Sequence, residues 1–261
     1  MTPEPGSVRS VARVVVGDPS ARLDEWSVER MGGGVSEEIG QSDGLLRISG
    51  SAITADGTER WSAVVKTIRR VPIRIGGLDP DIDDPHNVNY WRREADVFAS
   101  GVLTEVTEGL TAPACYRIDE GDDEVTLWME DVAADDGRWS IERYWRTARE
   151  LGTFNGYFAG RVPDGVRPWA SRGRLLDWLV AGAAGVRKMS VAPRPGLLGR
   201  WLSDESVKRT QRLYDQRDAL LAVVGRLPET FCHHDAQGRN LLSVGDEHAR
   251  GTVAVDWAMA G

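Results

Sequence analysis

Phe231-Cys232-His233-His234-Asp235-Ala236-Gln237-Gly238-Arg239-Asn240-Leu241-Leu242 is the stretch on which the reading of this 261-residue chain turns. His233-x-Asp235 is followed there by four residues and then Asn240. That spacing suits a loop in which an Asp receives a hydroxyl proton and an Asn holds a metal ion. So short a pattern recurs by chance, and the loop needs support from outside itself. Val253-Ala254-Val255-Asp256-Trp257-Ala258 supplies some, because an apolar strand ending in Asp is where phosphoryl chemistry places a second metal ligand.

If the loop has that role, the chain ahead of it should carry a glycine loop, a strand Lys, a helix Glu and a hinge. Trp26 to Met31 alternates apolar and polar residues, as a half-buried strand does. It runs into Gly32-Gly33-Gly34, whose amides could cradle phosphate or could simply make a hairpin turn. Leu45 to Ile53 reads as a second strand and Asp56-Gly57 as a hairpin turn. Trp61 to Ile68 is the third strand, and in it Lys66 follows two valines. A lysine there either faces solvent or reaches α/β-phosphates. A helix is expected from about 88 to 100, ending at Gly101, with Val88, Trp91, Ala95, Phe98 and Ala99 on one face. Glu94 sits beside that face, as a surface acid or as the partner of Lys66; the order of the parts favours the pair. Ala114 to Ile118 and Val125 to Met129 read as two more strands. The second leads into Glu130-Asp131-Val132, where a hinge would offer backbone groups to a base.

Residues 1 to about 10 read as a loose tail, and Val11 to Val16 as a short strand or lead-in segment. The acidic, proline-broken stretch 78–85 reads as a solvated linker. Beyond residue 133 the pattern turns helical. Ser140 can cap a helix carrying Ile141, Tyr144, Trp145, Ala148, Leu151, Asn155 and Phe158, with Gly160 at its end. A helix near 172–189 carries Leu175, Leu176, Trp178 and Leu179, and Ser203-Asp204-Glu205 opens another with Leu213, Leu220 and Val224. Trp91, Trp145 and Trp178 take core-like helical positions.

With 41% apolar residues the chain can build one large domain or two lobes with real cores. A net charge of −8 disfavours nucleic acid and anionic membranes as partners. Two cysteines, Cys115 and Cys232, in a chain of this size suit reduced thiols and a cytoplasmic setting. The first residues lack a basic segment followed by an apolar core, and no apolar run approaches the ~20 residues of a membrane span.

The order of these parts resembles the aminoglycoside phosphotransferase and choline-kinase-like family, over residues 26 to 261. The match is carried by His233-x-Asp235-x4-Asn240 and Val255-Asp256-Trp257, with Lys66, Glu94 and Met129-Glu130-Asp131-Val132 in support. The resemblance implies an α+β, two-lobed, protein-kinase-like fold. It would have an extension over 1–25, an N-lobe over 26–132 built of an antiparallel sheet and the Glu94 helix, and a mainly helical C-lobe over 133–261. It implies an ATP-dependent transfer of the γ-phosphate to a hydroxyl of a small molecule, with Mg²⁺. Asp235 would be the base or orienting group, and Asn240 and Asp256 the metal ligands. Lys66, fixed by Glu94, the amides of Gly32, Gly33 and Gly34, and backbone groups of Glu130 and Val132 would hold the nucleotide. His233 would brace the loop. Three features depart from the family's pattern: the glycine loop has no clean G-x-G-x-x-G, His234 stands where a glycine is common, and Gln237 where a second His often sits. Family members continue with further helices, so the C-lobe is expected to be incomplete at Gly261. The alternative is a nucleotide-binding pseudokinase or an inactive fragment. The acceptor stays open between an aminoglycoside or other antibiotic, a sugar and an amino alcohol. The acidic stretches 79–84, 119–124 and 130–136 would suit a cationic acceptor, or are solvated surface.

Overall fold

The computed structural model describes residues 3–32, 42–72, 81–106, 108–134, 137–172, 174–191, 202–245 and 251–261. Its first element corrects the expected tail and strand. Helix α1 spans Pro5–Val15, with a proline in its first turn. Val8, Val11 and Ala12 are buried at helical spacing against Ile48, Ala52, Trp61, Ala63, Val65 and Trp128. The valines suggested a strand by propensity. That preference is worth less than about 1 kcal/mol per residue, and burying a single valine side chain outweighs it.

Strands β1 (Arg22–Gly32), β2 (Ser42–Thr54) and β3 (Gly57–Arg69) form a meander. Strands β5 (Cys115–Glu120) and β6 (Glu124–Glu130) complete a five-stranded antiparallel sheet in the order β1-β2-β3-β6-β5. Residues directly paired across antiparallel strands share a face. Lys66 pairs with Leu45 and Leu127, and Val64 with Arg47 and Met129. Helix α2 (Arg93–Ser100) packs on that face, where Trp91 and Ala95 meet Val64, Ile68, Leu127 and Met129. The sheet thus lies between α1 and α2.

Helix α2 starts five residues later than expected. Turns occupy 84–91, with Asn87 N–H donating to Asp84 O and Tyr90 N–H to Asn87 O. Gly101, at φ 73°, ends the helix in the left-handed conformation that a glycine adopts without strain.

The second lobe holds α3 (Ile141–Phe158), α4 (Arg174–Val191), α5 (Asp204–Asp215) and α6 (Arg217–Val224). Ser140 caps α3 by accepting from Arg143 N–H, and Ser203 caps α5 by accepting from Ser206 N–H. A small sheet of β4 (Leu110–Thr111), β8 (Gly251–Ala254) and β7 (Leu241–Val244) lies against α3, with β8 in the middle. Its core gathers Phe154, Phe158, Trp169, Phe231 and Trp257. Phe231 stacks on Trp257 with planes 5° apart. That contact ties the start of the 231–242 loop to the residue after Asp256. The fold is therefore α+β and two-lobed.

Trp145 and Trp178 are not core residues: they are 69% and 53% exposed. Ile141, Tyr144, Leu175, Leu176, Leu213, Leu220 and Val224 are exposed as well. Helical spacing says which residues share a face. Whether a neighbouring element covers that face depends on tertiary packing, and none among the described residues does.

Candidate active site

Three charged groups from distant parts of the chain meet between the lobes. Lys66 Nζ donates to Glu94 Oε2 at 2.6 Å and to Asp256 Oδ1 at 2.9 Å. The Lys66 and Glu94 residues are 9% and 2% exposed. Strand β3 aims Lys66 at the α2 face, and Glu94 lies in the first turn of α2, so sheet and helix fix the pair together. Trp257 N–H donates to the other Glu94 oxygen at 3.3 Å. Burial alone would lower the Lys66 pKa, but the Glu94 and Asp256 carboxylates outweigh it and the net shift is upward. Asp256 is held below the usual carboxylate range by Lys66. One ammonium between two carboxylates leaves a negative charge in excess. It resides at Asp256, the more exposed of the two acids, with 34% of its side chain accessible.

The 231–242 loop is held by its own polar groups. His233 is buried, and its Nε2 donates to Val255 O at 2.9 Å while its Nδ1 accepts the Asp235 N–H at 3.2 Å. Burial pushes the His233 pKa down, in keeping with a neutral ring that donates at one nitrogen and accepts at the other. Asn240 Nδ2 donates to Asp235 O at 3.0 Å and to Asp235 Oδ2 at 2.8 Å. Val255 N–H donates to Asn240 O at 2.9 Å, which ties the loop to the segment leading from β8 to Asp256. Gln237 Nε2 lies 3.0 Å from both carboxylate oxygens of Asp235. His234 and Asp256 both have positive φ, 61° and 63°, and are the two non-glycine residues so placed among those described. The left-handed backbone at 234 gives the physical reason why a glycine suits this position.

Glu130 ends β6. Its N–H donates to Ala114 O at 2.8 Å, and its Oε2 accepts the Ala114 N–H at 3.1 Å. Asp131 holds Arg47 through two hydrogen bonds of 2.9 and 3.1 Å, and Val132 is half-buried. A cavity of about 1070 Å³ adjoins this segment, lined by Arg47, Ser49, Arg60, Glu130 and Asp131 among others; Lys66, Asp235 and Asp256 do not line it. Gly32 is the last residue of β1 and pairs with Leu45, the neighbour of Lys66 across the sheet. Gly33 and Gly34 lie outside the described residues.

Among the described residues no three His, Cys, Asp or Glu side chains cluster to hold a metal ion. The donors present still fit Mg²⁺ bound together with phosphate. That ion takes one or two protein oxygens and completes its shell from phosphate and water. Asp256 supplies an ionised carboxylate carrying the excess charge. With its nitrogen turned to Asp235, Asn240 has its amide oxygen as the atom able to hold a cation.

No family model matches the chain, and no curated relative does. Among solved structures it is similar to spectinomycin phosphotransferase APH(9)-Ia in complex with ADP and spectinomycin. The identity is 12%, the alignment covers 100% of this chain and 70% of that one, and the TM-score is 0.42.

Sequence reasoning missed two buried arginines. Arg93, with no exposed surface, donates to the carbonyls of Pro85, Asn87, Val88, Trp169 and Ala258. It thereby joins α2, the turn before it and the segment after Asp256. Arg174 starts α4 beside the same segment, and its Nη2 contacts Met259 Sδ. An arginine in a polar stretch gives no sequence signal of burial; only its place in the packed fold reveals it.

Proposed function

We propose that the chain is a small-molecule kinase that transfers the γ-phosphate of ATP to a hydroxyl group, with Mg²⁺ as the bound ion. The single observation that supports this best is the meeting of Lys66, Glu94 and Asp256 within hydrogen-bonding distance, on a loop-and-strand framework that also fixes Asp235 and Asn240. In this reading Lys66, steadied by Glu94, neutralises the α/β-phosphates, and Asn240 and Asp256 hold the ion. When bound, Mg²⁺ neutralises charge on the phosphate oxygens. Asp235 receives or orients the acceptor proton, with Asn240 fixing its carboxylate and His233 fixing its backbone. Gly32 to Gly34 and the backbone of Glu130 and Val132 would complete the nucleotide site. The N-lobe would run from 26 to 132 and the C-lobe from 133 to 261.

Alignment and charge neutralisation carry most of such a reaction, so removing the proton acceptor should spare nucleotide binding. The test is ADP production from MgATP with a panel of hydroxylated small molecules, comparing the wild-type chain with Asp235→Asn. The expected result is acceptor-dependent turnover that falls about 10²–10⁴-fold in the variant, with ADP affinity unchanged. Equal turnover in the two proteins would remove Asp235 from the chemistry.

A further inference from the structure

The α4 end of the second lobe holds buried polar atoms that have no part in the phosphoryl step. Arg174 is 4% exposed and Ser171 5% exposed. Arg174 Nε, Arg174 Nη1 and Ser171 Oγ have no hydrogen-bond partner among the described residues. The third guanidinium nitrogen meets the thioether of Met259, a weak acceptor. No ion pair joins Arg174 to Asp177 or Asp235, although both acids act on it electrostatically. Its other charged neighbour is Arg93, a second cation. A buried guanidinium with several donors unsatisfied is costly unless an acceptor arrives.

The position of these atoms says what the acceptor would be part of. Ser171 N–H donates to Ala260 O at 3.1 Å. Gly261 and Cys232 exchange two backbone hydrogen bonds, of 2.7 and 3.0 Å. Ser171 is thereby clamped beside a loop that reaches Asp235 three residues later. Arg174 is the first residue of the 18-residue helix α4, whose positive dipole end adds to its charge.

We propose that Arg174 and Ser171, at the N-terminus of α4, form an anchoring subsite for an oxyanion of the acceptor, a carboxylate or a phosphate, whose hydroxyl group meets Asp235. The proposal rests on the phosphotransfer reading and narrows it: the acceptor is a hydroxylated acid or phosphate ester and not a purely cationic aminoglycoside. Arg174 is a binding residue here and takes no part in the phosphoryl step.

The test is calorimetric titration and thermal unfolding of the full 261-residue chain. Inorganic phosphate and acetate are the separate probes, at constant ionic strength with saturating MgADP, on wild type, Arg174→Met and Ser171→Ala. At least one anion should bind wild type and raise its unfolding midpoint, and the arm that does so identifies the group. Affinity should fall at least tenfold in Arg174→Met and about fivefold in Ser171→Ala. Arg174→Met should unfold no lower than wild type without added anion, because it removes an unpaired buried charge. ADP affinity should be the same in all three. Wild type that binds neither anion, or variants that bind as tightly as wild type, would overturn the subsite. Failure of wild type to bind ADP, with anion binding at Arg174 intact, would instead count against the phosphotransfer reading. Should Arg174→Met not fold, Ser171→Ala decides alone.

Discussion

Lys66→Met is the most informative perturbation of the buried charge cluster. The substitution keeps an unbranched apolar stem and removes the ammonium that lies 2.6 Å from Glu94 and 2.9 Å from Asp256. Asp256 can turn to water. Glu94, 2% exposed, cannot, and among the described residues keeps only the Trp257 N–H at 3.3 Å. Removing one member of a buried pair costs about 3 kcal/mol or more at neutral pH. For a chain of this size that lowers the unfolding midpoint by about 6–12 °C. The pH dependence follows from Glu94. Burial already raises its pKa against the opposing pull of Lys66, and without Lys66 the folded-state value rises further above the unfolded one. A carboxyl whose folded pKa is raised contributes stability at low pH and loses it as pH rises through that value. The deficit of Lys66→Met relative to wild type should therefore be smallest in mild acid and grow toward neutrality. In Lys66→Met/Glu94→Gln that growth should vanish, and at least half of the loss should be recovered. Thermal and urea unfolding followed by tryptophan fluorescence read this directly, since Trp128 and Trp257 are buried. A variant melting within 2 °C of wild type at pH 7.5, or a deficit that grows as pH falls, would refute the reasoning.

Further outcomes follow from groups around the site. Arg93→Met strips the donor from five backbone carbonyls and should cost about 3 kcal/mol or more, read as a lower urea midpoint; a loss under about 1 kcal/mol would contradict that role. His234→Gly relieves a left-handed backbone at φ 61° and should stabilise by about 1 kcal/mol, with a lower melting temperature as the opposing result. His233→Leu orphans the Asp235 N–H and the Val255 carbonyl, and should cost about 2 kcal/mol while weakening turnover; unchanged stability would mean the ring does not brace the loop.

The parts that were legible in the sequence are those whose meaning lies in order along the chain. Lys66 on a strand, Glu94 on the next helix and Asp256 after a strand are separated by 28 and 162 residues, yet each carries a local signal of its own element. Once a sheet and a helix form, their register brings the three charges together. The N-terminal helix was hidden by its β-branched residues, although Val8, Val11 and Ala12 already had helical spacing. The exposed Trp145 and Trp178 show the opposite failure, a helical face that periodicity marks but nothing described covers. Arg93 and Arg174 were invisible because hydropathy assigns every arginine to the surface. Their burial depends in part on groups from segments far away in the chain, the Trp169 and Ala258 carbonyls for Arg93 and Met259 for Arg174.

Calorimetric titration with ADP, with and without Mg²⁺, on wild type and Asp256→Asn asks whether Asp256 holds an ion together with the nucleotide. Binding to wild type should depend on Mg²⁺ and weaken at least tenfold in the variant, because the charge excess at Asp256 would be what the ion complements. ADP binding that is indifferent to both Mg²⁺ and the substitution, or absent from wild type, would contradict it.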